Sequence, residues 1–329
     1  MKKILGLGNA LVDIITEVDD EVLLKEFNLP KGSMTLVDEK FSKEIFSKTE
    51  KLNKTKASGG SAANTIHGLA KLGSPVSFVG KVGSDELGDF FYNDMKENNI
   101  IPLMIKGKTD TGKAQAFITR DAERTFATYL GAAVEMTAKD IEEKLFDEHD
   151  LVYVEGYLVQ NHELLEHTLK LAKAKGLEVA LDLASYNVVE DNLDFLRKMV
   201  SNYVDIVFAN EEEAQAYTGE SDPEKALLKL ATETKIAVVK VGKKGSLIRH
   251  ENQTFTIKIN PEKGIDTTGA GDLYAAGFLH GYIQNLPVTV CGELGSLLAG
   301  NVIKVIGAKI EQKNWADIKT KVGQLKEKA

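Results

Sequence analysis

The sequence predicts a doubly wound α/β fold, a mostly parallel sheet with helices on both faces, with a small β-sheet lid beside it. Three observations carry that prediction. Short β-rich apolar runs recur along the chain, most of them apolar on both faces, as suits strands covered on both sides. Amphipathic helical stretches separate these runs, giving a β-α-β-α alternation. Two segments, 32–38 and 113–130, break the alternation with strand-like patterns of their own, and Asp121, Ala122 and Glu123 read as a turn between two hairpin arms.

The first run, ILGLGNAL at 4–11, follows two lysines as a signal peptide would, but Asn9 interrupts it and Asp13 ends it. No small-residue cleavage site is evident, so it reads as a buried first strand. SAANTIHGLAKLG reads as a helix that Ser61 can cap and Gly73 stops. The next strands are VSFVGKV at 76–82, LVYVEGY at 151–157, VALDLAS at 179–185, VDIVFAN at 204–210 and IAVVKVG at 236–242. HELLEHTLKLAKAKG, EEAQAYTG and PEKALLKLATET read as helices among them. In such sheets ligands sit beyond the carboxyl ends of the strands, where Asn9, Asp182 and Asn210 fall. The lysine-rich KTKVGQLKEKA reads as a solvated helix end.

Composition narrows the function. Of 329 residues, 43% are hydrophobic and 27% charged, ordinary for a globular protein able to bury a core without staples. The net charge of −8 and the lack of a Lys/Arg block argue against a nucleic-acid partner. Cys291 is the single cysteine, which excludes an internal disulfide and fits a reducing compartment. No run approaches the roughly 20 apolar residues of a membrane helix. A cytoplasmic protein is expected.

The chemistry begins at GIDTTGAGDLYAAGFLHG, residues 264–281. A helix starts there, and its first turn offers unpaired N–H groups and a partial positive charge that hold an anion. Glycines on both sides of Ala270 let that anion approach the backbone. Asp272 can cap the helix, or it can take a proton from a group arriving beside the anion. The chain has no Walker A pattern, and GLGNAL lacks the third glycine of a dinucleotide turn, so the anion site belongs to another phosphate-handling architecture. In SGGSAANTIHGLAKLG, Gly59 and Gly60 allow a sharp turn and Asn64 lies in the first turn of the helix, within reach of a ligand.

GGSAANTIHGLAKLGSPVSFVGKVG, followed by DTTGAGDLYAAGFLHG, resembles the two signature regions of the ribokinase-like (PfkB) carbohydrate kinase family, and the likeness spans essentially the whole chain. The resemblance implies one kinase domain over 1–329, with a β lid from segments about 14–38 and 103–131. It also implies transfer of the ATP γ-phosphoryl group to a sugar hydroxyl. Asp272 then matches the family's catalytic base, and the N–H groups of Gly269, Ala270 and Gly271 its anion hole. ANEEEAQAY resembles the family's Asn-x-x-Glu element, with Asn210 on the nucleotide side and Glu213 holding Mg²⁺ through water; the plain alternative is an acidic helix start. VVKVGKKGSLI and AGNVIKVIGA look like nucleotide-side elements, which adds Lys240, Gly242, Gly245, Thr267 and Asn301 to the ATP-binding set. Asp266 and Thr268 stand where family members can hold a monovalent cation such as K⁺.

The acceptor is expected at Asp13, Asn9, Gly60, Asn64 and Tyr157. A short ionised Asp can accept from two adjacent hydroxyls, as on a ribose. GLGNALVDI, LPKGSMTLVDE and GGSAANT look most like the adenosine-phosphorylating members, with a free sugar (ribose, fructose or a keto-sugar acid) second. A nucleoside needs an apolar slot for its base, for which Phe117, Tyr129, Tyr157, Leu158 and Tyr186 are candidates, each equally able to serve the core. A binding-only protein on the same fold is the reading from another class. Closure of the lid should precede transfer, with Gly59 and Gly60 as hinge and Arg120 and Arg124 on the hairpin reaching phosphate, acceptor or solvent. Monomer and homodimer are both open.

Overall fold

A computed structural model describes residues 1–18, 21–120, 123–259 and 264–327. Among these, the strands are β1 (Ile4–Leu7), β2 (Leu11–Glu17), β3 (Met34–Leu36), β4 (Lys54–Gly59), β5 (Val76–Val82), β6 (Ile100–Lys106), β7 (Thr111–Ile118), β8 (Arg124–Gly131), β9 (Leu151–Glu155), β10 (Glu178–Asp182), β11 (Ile206–Asn210), β12 (Ile236–Lys240), β13 (Ser246–His250) and β14 (Gln253–Ile257). The large sheet runs β14-β13-β12-β11-β10-β9-β1-β5-β6. It is parallel from β12 to β6, and β13 and β14 add an antiparallel edge. From β1 the chain winds outward through β5 and β6, then returns to β9 on the other flank, so the strand order reverses between β1 and β9. That is where such sheets place ligands.

Alternate residues of these strands feed the two faces. Ile4, Tyr153, Ala180, Phe208 and Val238 join a core under three helices: α3 (Ser61–Lys71), α10 (Ala270–Tyr282) and α11 (Val288–Val302). Leu5, Val152, Leu181, Val207 and Ala237 join the opposite core, under α5 (His162–Ala174), α7 (Leu193–Tyr203) and α9 (Pro223–Leu230). The remaining helices are α1 (Val22–Glu26), α2 (Glu39–Lys48), α4 (Glu86–Glu97), α6 (Tyr186–Asp191), α8 (Glu211–Thr218) and α12 (Trp315–Glu327). No helix among the described residues is long and apolar enough to cross a membrane.

Helices α10 and α11 pack with glycines at the contact. A Cβ on Gly277 would stand 2.3 Å from the Leu294 carbonyl oxygen, a backbone atom that cannot rotate away. Gly277→Ala should therefore destabilise the protein by about 1–3 kcal/mol, read as a lower denaturant midpoint; an unchanged midpoint would contradict the packing described.

The small sheet runs β3-β8-β7-β2-β4. Helices α1 and α2 cover one of its faces, where Leu24, Phe27, Ile45, Phe117 and Ala127 form a separate core. Two expectations need correction here, and one strand has no counterpart in the sequence reading. ILGLGNAL is not one strand: β1 ends at Leu7 and β2 starts at Leu11 in the other sheet. The cause is Asn9, whose N–H and Nδ2 both donate to Glu155, at 2.9 and 2.6 Å, which draws the chain out of the first ladder. Residues 103–106 belong to β6, paired with β5 in the large sheet, so the second segment of the small sheet starts at Thr111 rather than 103. Finally, β4, which carries no apolar periodicity, joins the small sheet against β2. The hairpin of β7 and β8 is present; its turn residues Asp121 and Ala122 lie outside the described residues, as do Lys328 and Ala329 at the end of the lysine-rich tail.

Candidate active site

The first turn of α10 sits over the large sheet's strand ends. Gly269 caps it at φ +75°, a left-handed conformation that glycine adopts without penalty. The N–H groups of Gly269, Gly271 and Asp272 find no partner among the described residues, whereas that of Ala270 donates to the Thr267 carbonyl at 3.1 Å. Within the expected trio 269–271, the Ala270 N–H is committed to its own turn, and the N–H left open beside Gly269 and Gly271 is that of Asp272.

Nor does the Asp272 carboxylate cap the helix. Its Oδ1 accepts from Ser61 Oγ at 2.7 Å and its Oδ2 from Asn64 Nδ2 at 2.9 Å, both on α3. Ser61 accordingly spends its hydroxyl on Asp272 rather than as a cap; the cap position of α3 is Gly60. Burial pushes the Asp272 carboxyl up to about 6, against the pull of these two hydrogen bonds. A carboxylate with that proton affinity suits a general base near neutral pH.

Asp13 lies within β2, facing the turn between β4 and α3. A Cβ on Gly59 would come within 2.5 Å of its carboxylate, so glycine makes room for it. Gly60, at φ +100°, brings the backbone so close to Asn9 that a Cβ would stand 2.1 Å from the Asn9 carbonyl oxygen. Burial raises Asp13 to about 6; Lys309 and Arg124 lower it and Asp272 raises it, so the two carboxylates sense each other. Asn64 is buried, and its Oδ1 has no partner among the described residues.

Sequence reasoning missed Glu155, the last residue of β9. Its Oε1 takes both Asn9 bonds and its Oε2 accepts the Ala62 N–H at 2.9 Å, which ties the end of β1 to the start of α3. Burial pushes it up to about 7. The signal available was a lone acid closing an apolar strand.

On the other flank, Lys240 Nζ donates to Asp182 Oδ2 at 2.8 Å and lies 3.0 Å from where a Cβ on Gly271 would be. Burial opposes its charge, but Asp182 and Glu213 outweigh burial and hold the ammonium above its ordinary range. Ala184, at φ +71°, accepts backbone strain as its N–H reaches Asp182 Oδ1 at 3.0 Å. Asn210 and Glu213 form a capping box at α8: Glu213 N–H donates to Asn210 Oδ1, and the Asn210 N–H and Nδ2 each donate to the Glu213 carboxylate at 2.7 Å. Burial pushes Glu213 up to about 7, with Asp182 adding to it. Both its oxygens already accept protein hydrogen bonds, so a cation would meet it most readily through water. Gly242 and Gly245 form the tight β12–β13 turn. Asn301, on α11, donates its Nδ2 to the Leu297 carbonyl of its own helix at 2.7 Å. Tyr157 stands beside Glu155, and burial pushes its hydroxyl up to about 12.

Asp266 and Thr268 are not left open for a monovalent cation. Arg124 Nη1 pairs with Asp266 Oδ2 at 2.8 Å and donates to Thr268 Oγ1 at 3.0 Å. The Gly307 and Thr268 N–H groups occupy the same carboxylate. A guanidinium supplies the positive charge there, where a solvated lid arginine was one expectation. Arg120 is exposed.

Strand register decides which residues of the small sheet face the site. Asp13 pairs with Ala114 and Ile15 with Ala116, while Ala116 pairs with Phe126 and Ile118 with Arg124. Paired residues share a face, so Asp13, Ile15, Ala114, Ala116, Arg124 and Phe126 line the side of the small sheet turned toward α10. Of the proposed base-slot residues, Phe117 is instead buried on the opposite face, and Tyr129 pairs with Lys113 on that same face. Leu158 is buried in the large core. Tyr157 is half-buried and Tyr186, starting α6, is half exposed. Sequence reasoning missed Phe126, because an alternation of apolar residues does not say which face meets the ligand.

Comparison with known proteins agrees with this geometry. The family model described as pfkB family carbohydrate kinase matches residues 36–315. A probable sugar kinase from Rhizobium etli superimposes with a TM-score of 0.86 at 33% identity, covering 98% of each chain. The adenosine kinase of Sinorhizobium meliloti does so with a TM-score of 0.85 at 34% identity, over 98% of this chain and 99% of its own. A 5-dehydro-2-deoxygluconokinase of Clostridium perfringens is 29% identical over 272 residues, 78% of this chain and 80% of that protein.

Proposed function

The chain belongs to the pfkB family of carbohydrate kinases, and from that premise we propose that this ATP-dependent kinase phosphorylates adenosine at its 5′-hydroxyl to give AMP. One observation carries the choice of acceptor. The side of the small sheet that presents Asp13 also presents Ile15 and Phe126, both half-buried, with Ala114 and Ala116 between them. A carboxylate beside a broad apolar surface suits a molecule with hydroxyls at one end and a flat ring at the other. A free sugar would leave that surface wet. An adenosine kinase at 34% identity stands among the relatives beside a probable sugar kinase at 33%, so the choice rests on the surface.

ATP with Mg²⁺ supplies the γ-phosphoryl group. Asp13 accepts the ribose hydroxyls, and Asn64 Oδ1 has a free acceptor site beside them. Asp272 takes the 5′-hydroxyl proton as that oxygen bonds to phosphorus and the bond to the β-phosphate oxygen breaks, releasing ADP. The N–H groups of Gly269, Gly271 and Asp272 bind the oxygens of the moving phosphoryl group, a stabilisation fixed before the reaction begins. Lys240, beside Gly271, adds a positive charge on the nucleotide side, and Glu213 would hold Mg²⁺ through water. Arg124 brings the small sheet down to the loop that carries Asp266 and Thr268, which excludes competing water from the phosphate.

An ATP-consumption panel of adenosine, other nucleosides, ribose, fructose and 5-dehydro-2-deoxygluconate tests the assignment. Adenosine should give a kcat/KM at least about tenfold above any free sugar, the equivalent of one good differential contact. A sugar or sugar acid that outperforms adenosine would replace the acceptor while keeping the reaction.

A further inference from the structure

Lys309 carries a charge that the mechanism above does not use. It follows Ala308, whose Cβ is 2.5 Å from where a Cβ on Gly269 would stand, and Gly307 donates to Asp266 at 2.7 Å. Residues 307–309 are therefore fastened against the anion turn. The stem of Lys309 is partly exposed, but its Nζ is shut off from solvent and has no hydrogen-bond partner among the described residues. Burying an unpaired ammonium costs stability, so the position calls for an electrostatic reason.

The charged and titratable groups around it come from four elements: Asp94 of α4, Asp13 of β2, Asp272 of α10, and Lys71 with His67 of α3. Arg124 of β8 also faces Asp13, while Asp182 of β10 and Lys240 of β12 face Asp272. Two of these cations are already matched, Arg124 by Asp266 and Lys240 by Asp182. Among the described residues Lys309 makes no such pair.

We infer that Lys309 is a positioning residue: its ammonium is the fixed counter-charge that keeps Asp13 and Asp272 ionised together, so one can hold the acceptor while the other takes its proton. Two buried carboxylates that sense each other resist ionising at once. A cation in direct contact would relieve this by occupying the oxygens that substrate needs. One that interacts with both without bonding to either favours both charges and leaves those oxygens open. Lys309 is itself pushed down by burial to about 8, so the device works below that pH.

The inference rests on the phosphotransfer reading, and the test separates the two. In the full chain, kcat/KM for adenosine is measured against pH for the wild type, Lys309→Met and Lys309→Arg, and Asp13 is titrated by carboxyl-detected NMR in the substrate-free proteins. The wild type should lose activity as pH falls through about 6, the value of both carboxyls. Lys309→Met should move that acid limb upward by roughly one pH unit. Lys309→Arg should leave the acid limb in place, because the guanidinium keeps the positive charge. An unmoved acid limb in Lys309→Met, even with a lower kcat, overturns the inference, since a purely structural lysine would change rate without changing the profile. If Lys309→Met does not fold, Lys309→Gln takes its place with the same expected shift of the acid limb. Should the wild type phosphorylate nothing on the panel, the kinase reading fails, and the NMR titration of Asp13 still decides the role of Lys309.

Discussion

Asp272→Asn will lower turnover by at least about 10²-fold, the usual worth of a general base, while the fold and ATP affinity stay close to wild type. Asparagine has the same shape but cannot take a proton from an alcohol. The surroundings can absorb the change. Asp272 now accepts from Ser61 and Asn64; an asparagine would keep one acceptor and turn an NH₂ toward the other partner. Ser61 can accept through its hydroxyl, and Asn64 can rotate its unpartnered Oδ1 into place. The N–H of residue 272 is unaffected, so the anion turn remains. Purified Asp272→Asn with near wild-type turnover on the best acceptor would remove Asp272 from the chemistry.

Asp13→Ala should act on the acceptor instead. Losing two charge-assisted hydrogen bonds is worth about 3 kcal/mol, or roughly 100-fold in acceptor kcat/KM, whereas the KM for ATP should move less than about threefold, since Asp13 sits on the small sheet's side of the site. Steady-state kinetics with each substrate varied in turn separates the two effects. An equal rise in both KM values would point to a collapsed site. The fold should survive, because the carboxylate lies against Gly59, where its removal leaves room for water rather than a strained gap.

Much of this arrangement is legible in the residues, and what is not has identifiable causes. The runs at 76–82, 151–157, 179–185, 204–210 and 236–242 form strands of the large sheet, because a strand buried on both faces is written as an unbroken apolar string. KTKASG at 54–59 carries no such string; it becomes a strand because β2 offers it a partner, and pairing leaves no trace in composition. The glycine turn before Asp272 is visible because few other purposes need two glycines at a helix start. Its partners Ser61 and Asn64 lie more than 200 residues away in the chain, so their link to it appears only in three dimensions. Arg124 looks like any hairpin arginine until Asp266 is found opposite it. A lysine near the end of the chain reads as solvated, and for Lys309 only folding shows that its ammonium is enclosed.

The pairing of Arg124 with Asp266 has a mechanical consequence. It fastens a strand of the small sheet to the loop that leads into α10, so the sheet cannot swing outward without pulling a guanidinium off a carboxylate. If the small sheet opens and closes over the site, the same bond that holds it down also resists the opening through which products would leave. A chain with a weaker clasp should then empty faster and spill more phosphate to solvent.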